Sequence, residues 1–292
     1  MAVQAEKKEK RKWITPKTAP YFFLFPAVLL FLAFMVYPII ASLILSFQTR
    51  VEGVYQFSGL DNYIRLFSDP IFYKALGNTF IILFVQVPIM LFIALLLAVF
   101  LNVKFLRARA FYRVSFFTPA VTSLVAASII FILLLNTDYG LVNFILASIG
   151  LEKVEWLTNS FWARVSLILV TTWRWAGYNM VILLAGLQNI PNDLYEAASI
   201  DGASQIRKFF HITIPQLKPV LLFTFVLSTI GTFQLFDEPY NLTNGGPNNA
   251  TLTITYYLYN QGFNYFDFGY ASAIAILSYY LSLFYHGYNL RW

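Results

Sequence analysis

EAASIDGASQIRKFFHITIP, running from Glu196 to Pro215, is a short polar interruption in an otherwise apolar chain. Its pattern predicts two short helices. Asn192 is expected to cap the first, because its side-chain oxygen can accept a bond from an unpaired helix N–H. Ala197 and Ala198 are small enough for close approach to a neighbour, and Gly202 offers the left-handed geometry that ends a helix. Ser204 is expected to cap the second helix, which ends before Pro215. Helices this short are unstable alone in water. The pair is therefore expected to dock on another protein.

The flanks set the context. Of the 292 residues, 59% are apolar and only 12% charged, whereas soluble domains carry about 45–50% and about 25%. Crossing a bilayer core takes about 20 mostly apolar residues. Six stretches qualify, near residues 21–47, 78–101, 115–135, 161–187, 219–236 and 270–290. They are too long and too uniformly apolar for the alternating strands of a membrane barrel, which run to about ten residues. The expectation is an all-α bundle of six spans within residues 20–292, preceded by a basic tail over 1–19 and interrupted by the loop 188–218.

Orientation follows from the lysines and arginines. The tail holds six, the loop around Lys104, Arg107, Arg109 and Arg113 four, the Glu196 loop three, and Arg291 closes the chain. The opposite loops carry Arg50, Arg65, Lys74 and Lys153. Fourteen against four places both termini and the Glu196 loop in the cytoplasm. Topology also explains the net charge of +6, so no nucleic-acid partner is read from it. The first apolar stretch is far longer than a signal-peptide core of about 7–15 residues and is expected to stay as a span. The absence of cysteine excludes disulfides and thiolate metal sites.

The external side holds three modest loops. Gln56–Gly77 reads as one or two short amphipathic helices on the membrane surface, broken at Pro70. Asn136–Ser160 contains a turn at Asp138–Gly140. Asp237–Gly269 carries the turn Asn244-Gly245-Gly246-Pro247, then an aromatic helical run through Tyr256, Tyr257 and Tyr259. Many of the other aromatic rings fall near span ends, where interfaces favour them.

The Glu-Ala-Ala triplet at Glu196–Ala198, Gly202 four residues on, then Ile212 and Pro215 resemble the coupling-loop signature of ABC importer permeases. Ile214 stands where that family usually has leucine before the proline. The resemblance covers residues 20–290 and narrows to the carbohydrate-type permeases, in particular the first permease subunit of maltose- and glycerol-phosphate-type importers. It is carried by GLDNYIRLFSDPIFYKALGNT (Gly59–Thr79), YRVSFFTP (Tyr112–Pro119), DYGLVN (Asp138–Asn143), AGLQNIPNDLYEAASIDGA (Ala185–Ala203), LTNGGPNNAT (Leu242–Thr251) and FDFGYASAIA (Phe266–Ala275). It implies a type I importer fold with a cytoplasmic coupling helix-turn-helix between spans 4 and 5. It further implies a second homologous permease subunit, two ATP-binding cassette subunits that bind ATP and Mg, an extracytoplasmic sugar-binding protein and an oligosaccharide cargo. Tyr195, Glu196, Ala197, Ala198, Asp201 and Gly202 would form the contact to the ATPase, with Arg207 and Lys208 flanking it.

Arg174 is the sharpest residue of the spans. A charge there costs about 2.5–3.5 kcal/mol on insertion scales and usually faces a polar interior. Thr171, Thr172, Trp173, Trp175 and Tyr178 surround it with hydroxyls and flat rings, a chemistry suited to a carbohydrate. The resemblance carries cargo contacts onto Thr171, Trp173, Arg174, Trp175 and Tyr178 in the fourth span and onto Ser228, Thr232 and Leu235 in the fifth. Gln234 is a polar neighbour. The plainer alternatives are hydroxyls bonded to their own backbone, tryptophans facing lipid, and Arg174 in a structural ion pair. Arginine suits acidic sugars but also donates to neutral hydroxyls, so charge alone leaves the cargo open. Asp237 and Glu238 read as solvated loop charges, or else as contacts to the delivery protein.

No phosphate-binding Gly-x-x-x-x-Gly-Lys-Ser/Thr loop occurs, so ATP hydrolysis would belong to a partner. His211 and His286 stand alone, so no metal site is expected, and no nucleophile–base constellation is evident. An ion-gradient sugar transporter is the main alternative. It would show internal repeats, interrupted spans and membrane carboxylates, and the centres of these spans lack Asp and Glu.

Overall fold

The computed structural model describes residues 17–103 and 105–289. The basic residues Lys7 to Lys12, together with Lys104 and Arg291, lie outside them. Helix α1 (Ala19–Phe31) passes through a π turn (Leu32–Val36) into α2 (Tyr37–Leu45). A hairpin follows, β1 (Gln48–Val51) on β2 (Val54–Phe57), antiparallel with Val51 opposite Val54. Then come α3 (Asp61–Ser68), α4 (Pro70–Asn102), α5 (Arg109–Val121), α6 (Leu124–Leu134), α7 (Leu141–Ser148) and α8 (Ser160–Gln188). The polar loop holds α9 (Asn192–Ile200). Beyond it α10 (Gln205–Lys208), a π turn (Phe209–Thr213) and α11 (Ile214–Phe233) run on as one helix, before α12 (Asp237–Thr243), α13 (Ile254–Tyr259) and α14 (Phe268–Asn289).

Among the described residues each expected span falls mostly on helix, with residues 46–47, 122–123, 135 and 234–236 outside it. Four are long and apolar enough to cross a bilayer on their own: Ala19–Leu45, Pro70–Asn102, Ser160–Gln188 and Gln205–Phe233. The sixth expected span falls on α14, whose apolar part Phe268–Leu283 is shorter than those four. The third is broken. α5 and α6 meet at 96°, because Thr122 and Ser123 adopt extended backbone.

Prolines account for much of the irregularity. A proline inside a helix removes one N–H and clashes with the carbonyl four residues back. At Pro38 and Pro215 the chain widens just upstream: the N–H of Tyr37 reaches back to Leu32 and that of Ile214 to Phe209. Widening by one residue relieves the clash, and the helix continues. The second helix of the polar loop therefore does not end before Pro215, as the sequence suggested. It is the first turn of the 29-residue helix Gln205–Phe233.

Two other expectations are corrected. Asn192 is the first residue of α9 rather than its cap; Pro191 holds that position and no side chain caps it. The outer stretch 56–77 begins inside β2, whose hairpin turns at Glu52-Gly53, both with positive φ as tight hairpin turns require. Pro70 opens α4 instead of breaking a surface helix. It occupies the first turn, where a missing N–H is harmless, and Asp69 caps it by accepting from the N–H groups of Ile71 and Phe72 at 2.8 and 3.3 Å.

α4 and α8 pack along their length as the centre of the bundle. Ala94, Ala98 and Leu101 meet Met180, Leu183 and Leu187 towards the polar loop. At the other end Phe72, Ala75 and Leu83 pack with Tyr256, Tyr257, Tyr270 and Ile274. α5 approaches α8 so closely that a Cβ on Gly177 would lie 1.7 Å from the Phe116 carbonyl oxygen. The Leu242–Thr251 loop is tied over the top: the Asn78 amide donates to Asn249 and Leu252, and Arg164 Nε to Ala250. By contrast, no residue of α1 or α2 is buried within this chain. A helix apolar all round belongs against lipid or another subunit.

Candidate functional site

Two regions bear on function, one in the bundle and one at the polar loop. The first is a cavity of about 380 Å³ between α4, α8, α11 and the segment leading into α12, within the size range of small-molecule sites. α8 contributes Thr171, Trp175, Tyr178 and Asn179. Their spacing places them on one helical face. α11 adds Leu227, Ser228, Gly231 and Thr232 from the facing side, and Gln86 and Met90 project from α4. α11 ends at Phe233, so Gln234, Leu235 and Phe236 cross the cavity as a turn, and Asp237 and Glu238 join the wall as the first residues of α12.

Seven of the residues named from the sequence meet here: Thr171, Trp175, Tyr178, Ser228, Thr232, Gln234 and Leu235. Trp173 does not. Two residues from Thr171 and two from Trp175 on a 3.6-residue turn, it projects from another face, packs on Phe131 at 5.1 Å between ring centroids, and borders a shallow apolar groove with Ile89 and Ile93.

Arg174 does not line the cavity either. It lies at the edge of the α8 face, only 8% exposed, where it meets the break in the third span. Nη1 donates to the Thr122 carbonyl at 3.1 Å. Nε lies 3.8 Å from Glu238 Oε1 without a hydrogen bond, and the guanidinium is 5.5 Å from the Trp175 ring. Glu238, expected to be a solvated loop charge, is buried to 4% exposure and forms part of the cavity wall. Burial pushes its carboxyl above the usual value, against the pull of its backbone N–H, Arg174 and Trp175. Its neighbour Asp237 is exposed.

Several wall hydroxyls are occupied by their own helices. Thr171 Oγ1 donates to Leu167 and Thr232 Oγ1 to Ser228, at 2.7 and 2.9 Å. One amide is held less firmly: Gln86 Nε2 points to the Met90 sulfur at 3.3 Å. Asn179 Nδ2 approaches the same sulfur at 3.6 Å but donates to the Trp175 carbonyl at 3.1 Å, and its Oδ1 accepts from Ser228 Oγ at 3.4 Å. A thioether is a weak acceptor, so a ligand oxygen would replace it at little cost. The sequence reading passed over Gln86, Met90 and Asn179, and took Glu238 for a loop charge. Gln86 and Asn179 did carry a signal, since an uncharged amide inside an apolar span usually bonds across helices or into a cavity.

The second region is the polar loop. α9 ends in a left-handed glycine cap: the Ala203 N–H reaches Ala198 and the Gly202 N–H reaches Ser199, with φ +75° at Gly202. This double bond pattern satisfies carbonyls at the helix end. Ser204 Oγ accepts from the Arg207 N–H at 3.3 Å, capping the next helix. Lys208 Nζ donates to Ser199 Oγ at 2.6 Å, and the hydroxyls of Tyr195 and Thr213 meet at 2.9 Å. These bonds fasten α9 to the start of the fifth-span helix. Its other side is free of this chain: Glu196, Ala197, Asp201 and Gly202 are exposed, and so are Ile200, Ile206 and Phe210.

Comparison with known proteins gives a consistent result. The family model for the binding-protein-dependent transport system inner membrane component matches residues 67–289. Over 260 residues the chain is 49% identical to the lactose transport system permease protein LacF of Rhizobium radiobacter, covering 87% of each. It is 44% identical to the arabinooligosaccharides transport system permease protein AraP of Bacillus subtilis, over 89% of this chain and 84% of that one. Among solved structures, a chain of a bacterial ABC transporter involved in the import of the acidic polysaccharide alginate superposes with a TM-score of 0.82 at 25% identity, covering 93% and 94%.

Proposed function

This chain belongs to the binding-protein-dependent transport system inner membrane components, and from that premise we propose how its cavity and its polar loop divide the work of an importer. It is a multi-pass permease subunit of an ATP-driven sugar importer, and the ion-coupled alternative falls away with the family. Its part is to conduct the cargo without catalysing a reaction. Two ATP-binding cassette subunits supply the bound ATP and Mg, a second homologous permease completes the pore, and an extracytoplasmic protein delivers an oligosaccharide. Both termini and the α9 loop face the cytoplasm of a bacterial cell. In the chain's architecture, the tail 1–19 precedes a single transmembrane domain, 20–292, in which the loop 188–218 is the coupling element.

α9 docks on an ATPase subunit through Tyr195, Glu196, Ala197 and Ala198, with Asp201 and Gly202 shaping the bend. The exposed Ile200 and Ile206 would be covered there. When ATP draws the two ATPase subunits together, α9 moves with its subunit. The bonds from Tyr195 to Thr213 and from Lys208 to Ser199 oblige the fifth-span helix to follow. From Gln205 to Thr232 that helix runs about 40 Å at 1.5 Å per residue, carrying the displacement to the cavity wall. Ser228 and Thr232 then shift against Thr171, Trp175 and Tyr178, which opens the site to one side or the other. Trp175 and Tyr178 would stack on sugar rings, with Gln234 and Leu235 completing the wall. Arg174 and Trp173 act from behind, as a brace to the bent third span and as packing.

The observation that carries this reading is the single helix Gln205–Phe233, which begins at the docking element and ends at the cavity. In vesicles holding the complete importer, disrupting the turn with Gly202→Asp should abolish ATP-driven uptake of labelled lactose or arabino-oligosaccharide while the chain still inserts. Unchanged uptake and unchanged ATPase stimulation by the binding protein would refute it.

A further inference from the structure

Two carboxylates, Asp237 and Glu238, line the cavity, and no Lys, Arg or His is among the described residues that do. The nearest cation, Arg174, stands behind Glu238 and is committed there: Nη1 serves the Thr122 carbonyl and Nε faces the Glu238 carboxylate at 3.8 Å. Two carboxylates against one guanidinium leave the wall with one net negative charge. We infer that this permease takes neutral oligosaccharides and that Glu238, with Asp237, excludes acidic ones. The inference rests on the reading of the cavity as the sugar site.

The chemistry runs in one direction. A sugar hydroxyl donates to an ionised carboxylate, and such charge-assisted bonds are about twice as strong as neutral ones. Gln86, whose amide points to a sulfur, supplies a donor for hydroxyl and ring oxygens. A uronate meets the reverse situation. Its negative charge would enter a confined space beside two like charges, where repulsion is far less screened than in water. To reach Arg174 it would have to displace Glu238, leaving that buried carboxylate without its counter-ion, which is costly. Arg174 Nε lacks a hydrogen-bond partner and is the nearest charged donor, but Arg174 does not line the cavity and Glu238 does.

The test uses the complete importer in lipid nanodiscs, without the binding protein, so that only the membrane site is read. Equilibrium dialysis compares labelled lactose with the analogue in which galactose is oxidised to galacturonate. Lactose should be held at least about tenfold more tightly. Glu238→Gln should narrow that ratio at least about threefold by strengthening uronate binding. Asp237→Asn, at an exposed position where folding is not at stake, should narrow it to a lesser degree. Equal or tighter binding of the uronate, or a ratio that neither variant moves, overturns the inference. The combined variant Trp175→Ala with Thr232→Val separates the two claims. If it loses both sugars while the wild type does not discriminate, the cavity reading stands and the charge inference alone fails. If it binds both as the wild type does, or if the wild type binds neither, the site reading fails and takes the inference with it.

Discussion

Asp69 and Glu238 are two sheltered carboxylates whose surroundings differ in kind. Asp69 accepts from two backbone N–H groups at the start of α4 and from the hydroxyls of Tyr257 and Tyr270. Next to it Arg65 lies over the Tyr270 ring at 3.9 Å and pairs with Asp267 at 2.6 Å. Glu238 has a guanidinium 3.8 Å away and no hydrogen bond from it. One carboxylate is saturated by its own chain and joins α4, α13 and α14. The other has a guanidinium beside it without a hydrogen bond and lines the cavity. A saturated polar cluster rigidifies, whereas an unsaturated one is where a ligand or a motion is expected.

The contrast is broken first at Asp69. Asp69→Ala removes a helix cap worth about 1 kcal/mol and strands two tyrosine hydroxyls, each adding about 1 kcal/mol or more. A loss of about 3 kcal/mol is expected, read as a lower unfolding temperature of the purified importer in detergent, with sugar affinity unaltered in whatever remains folded. A stability cost no greater than that of Glu238→Gln would erase the distinction between the two sites.

At the cavity the effect should appear in cargo instead. Trp175→Ala takes away a ring on which a sugar face would stack, and about tenfold weaker sugar binding corresponds to about 1.4 kcal/mol. Trp173→Ala is the internal control. Because Trp173 packs on Phe131 away from the cavity, it should leave binding within about twofold. If Trp173 proves the more sensitive of the two, the cavity has been assigned to the wrong face of α8.

The contrast between Asp69 and Glu238 was not legible in the sequence, whereas much of the polar loop and the cavity wall was, and the failures have physical causes. Gly202 and Ser204 announced their caps because each residue type solves a local backbone problem. The spacing of Thr171, Trp175 and Tyr178 carries a shared face, since helical periodicity is local too, but the sequence reading took them together with Trp173 and Arg174 by chemistry and resemblance. Trp173 was grouped with them by composition, against that periodicity. Pro215 looked like a terminus because a widened turn upstream, which absorbs the ring, leaves no mark on composition. The bend at Thr122 and Ser123 is hidden in an apolar run for the same reason. The burial of Glu238 depends on Arg174, 64 positions earlier, and a contact that distant is invisible to local reading.

Glu238→Gln sharpens the comparison at a smaller scale. Replacing an ion that burial already disfavours with an isosteric amide should cost under about 1 kcal/mol of stability. Its signature is the shift in cargo selectivity instead. A loss of several kcal/mol would show that the pair with Arg174 is a structural bond of the Asp69 kind.

The smallest effect is expected in the pH dependence, where the two carboxylates should differ in sign. Burial works against the charge of Asp69, but the hydrogen bonds from Tyr257, Tyr270, Ile71 and Phe72 outweigh it and hold the carboxyl below its ordinary value of 3.8. The folded state therefore binds that proton less readily than the unfolded one. The stabilisation is present above pH 3.8 and fades as pH falls through the lower folded value. For Glu238, burial raises the carboxyl above its ordinary value of 4.5. Its contribution is complete below pH 4.5 and is lost as pH rises through the higher folded value. In thermal unfolding between pH 3 and 7, the difference between wild type and Asp69→Asn should shrink towards the acid end. The stability of Glu238→Gln relative to wild type should rise towards the neutral end. If both differences moved in the same direction with pH, the two carboxylates would occupy equivalent environments, and the division between a closed clamp and an open wall would not hold.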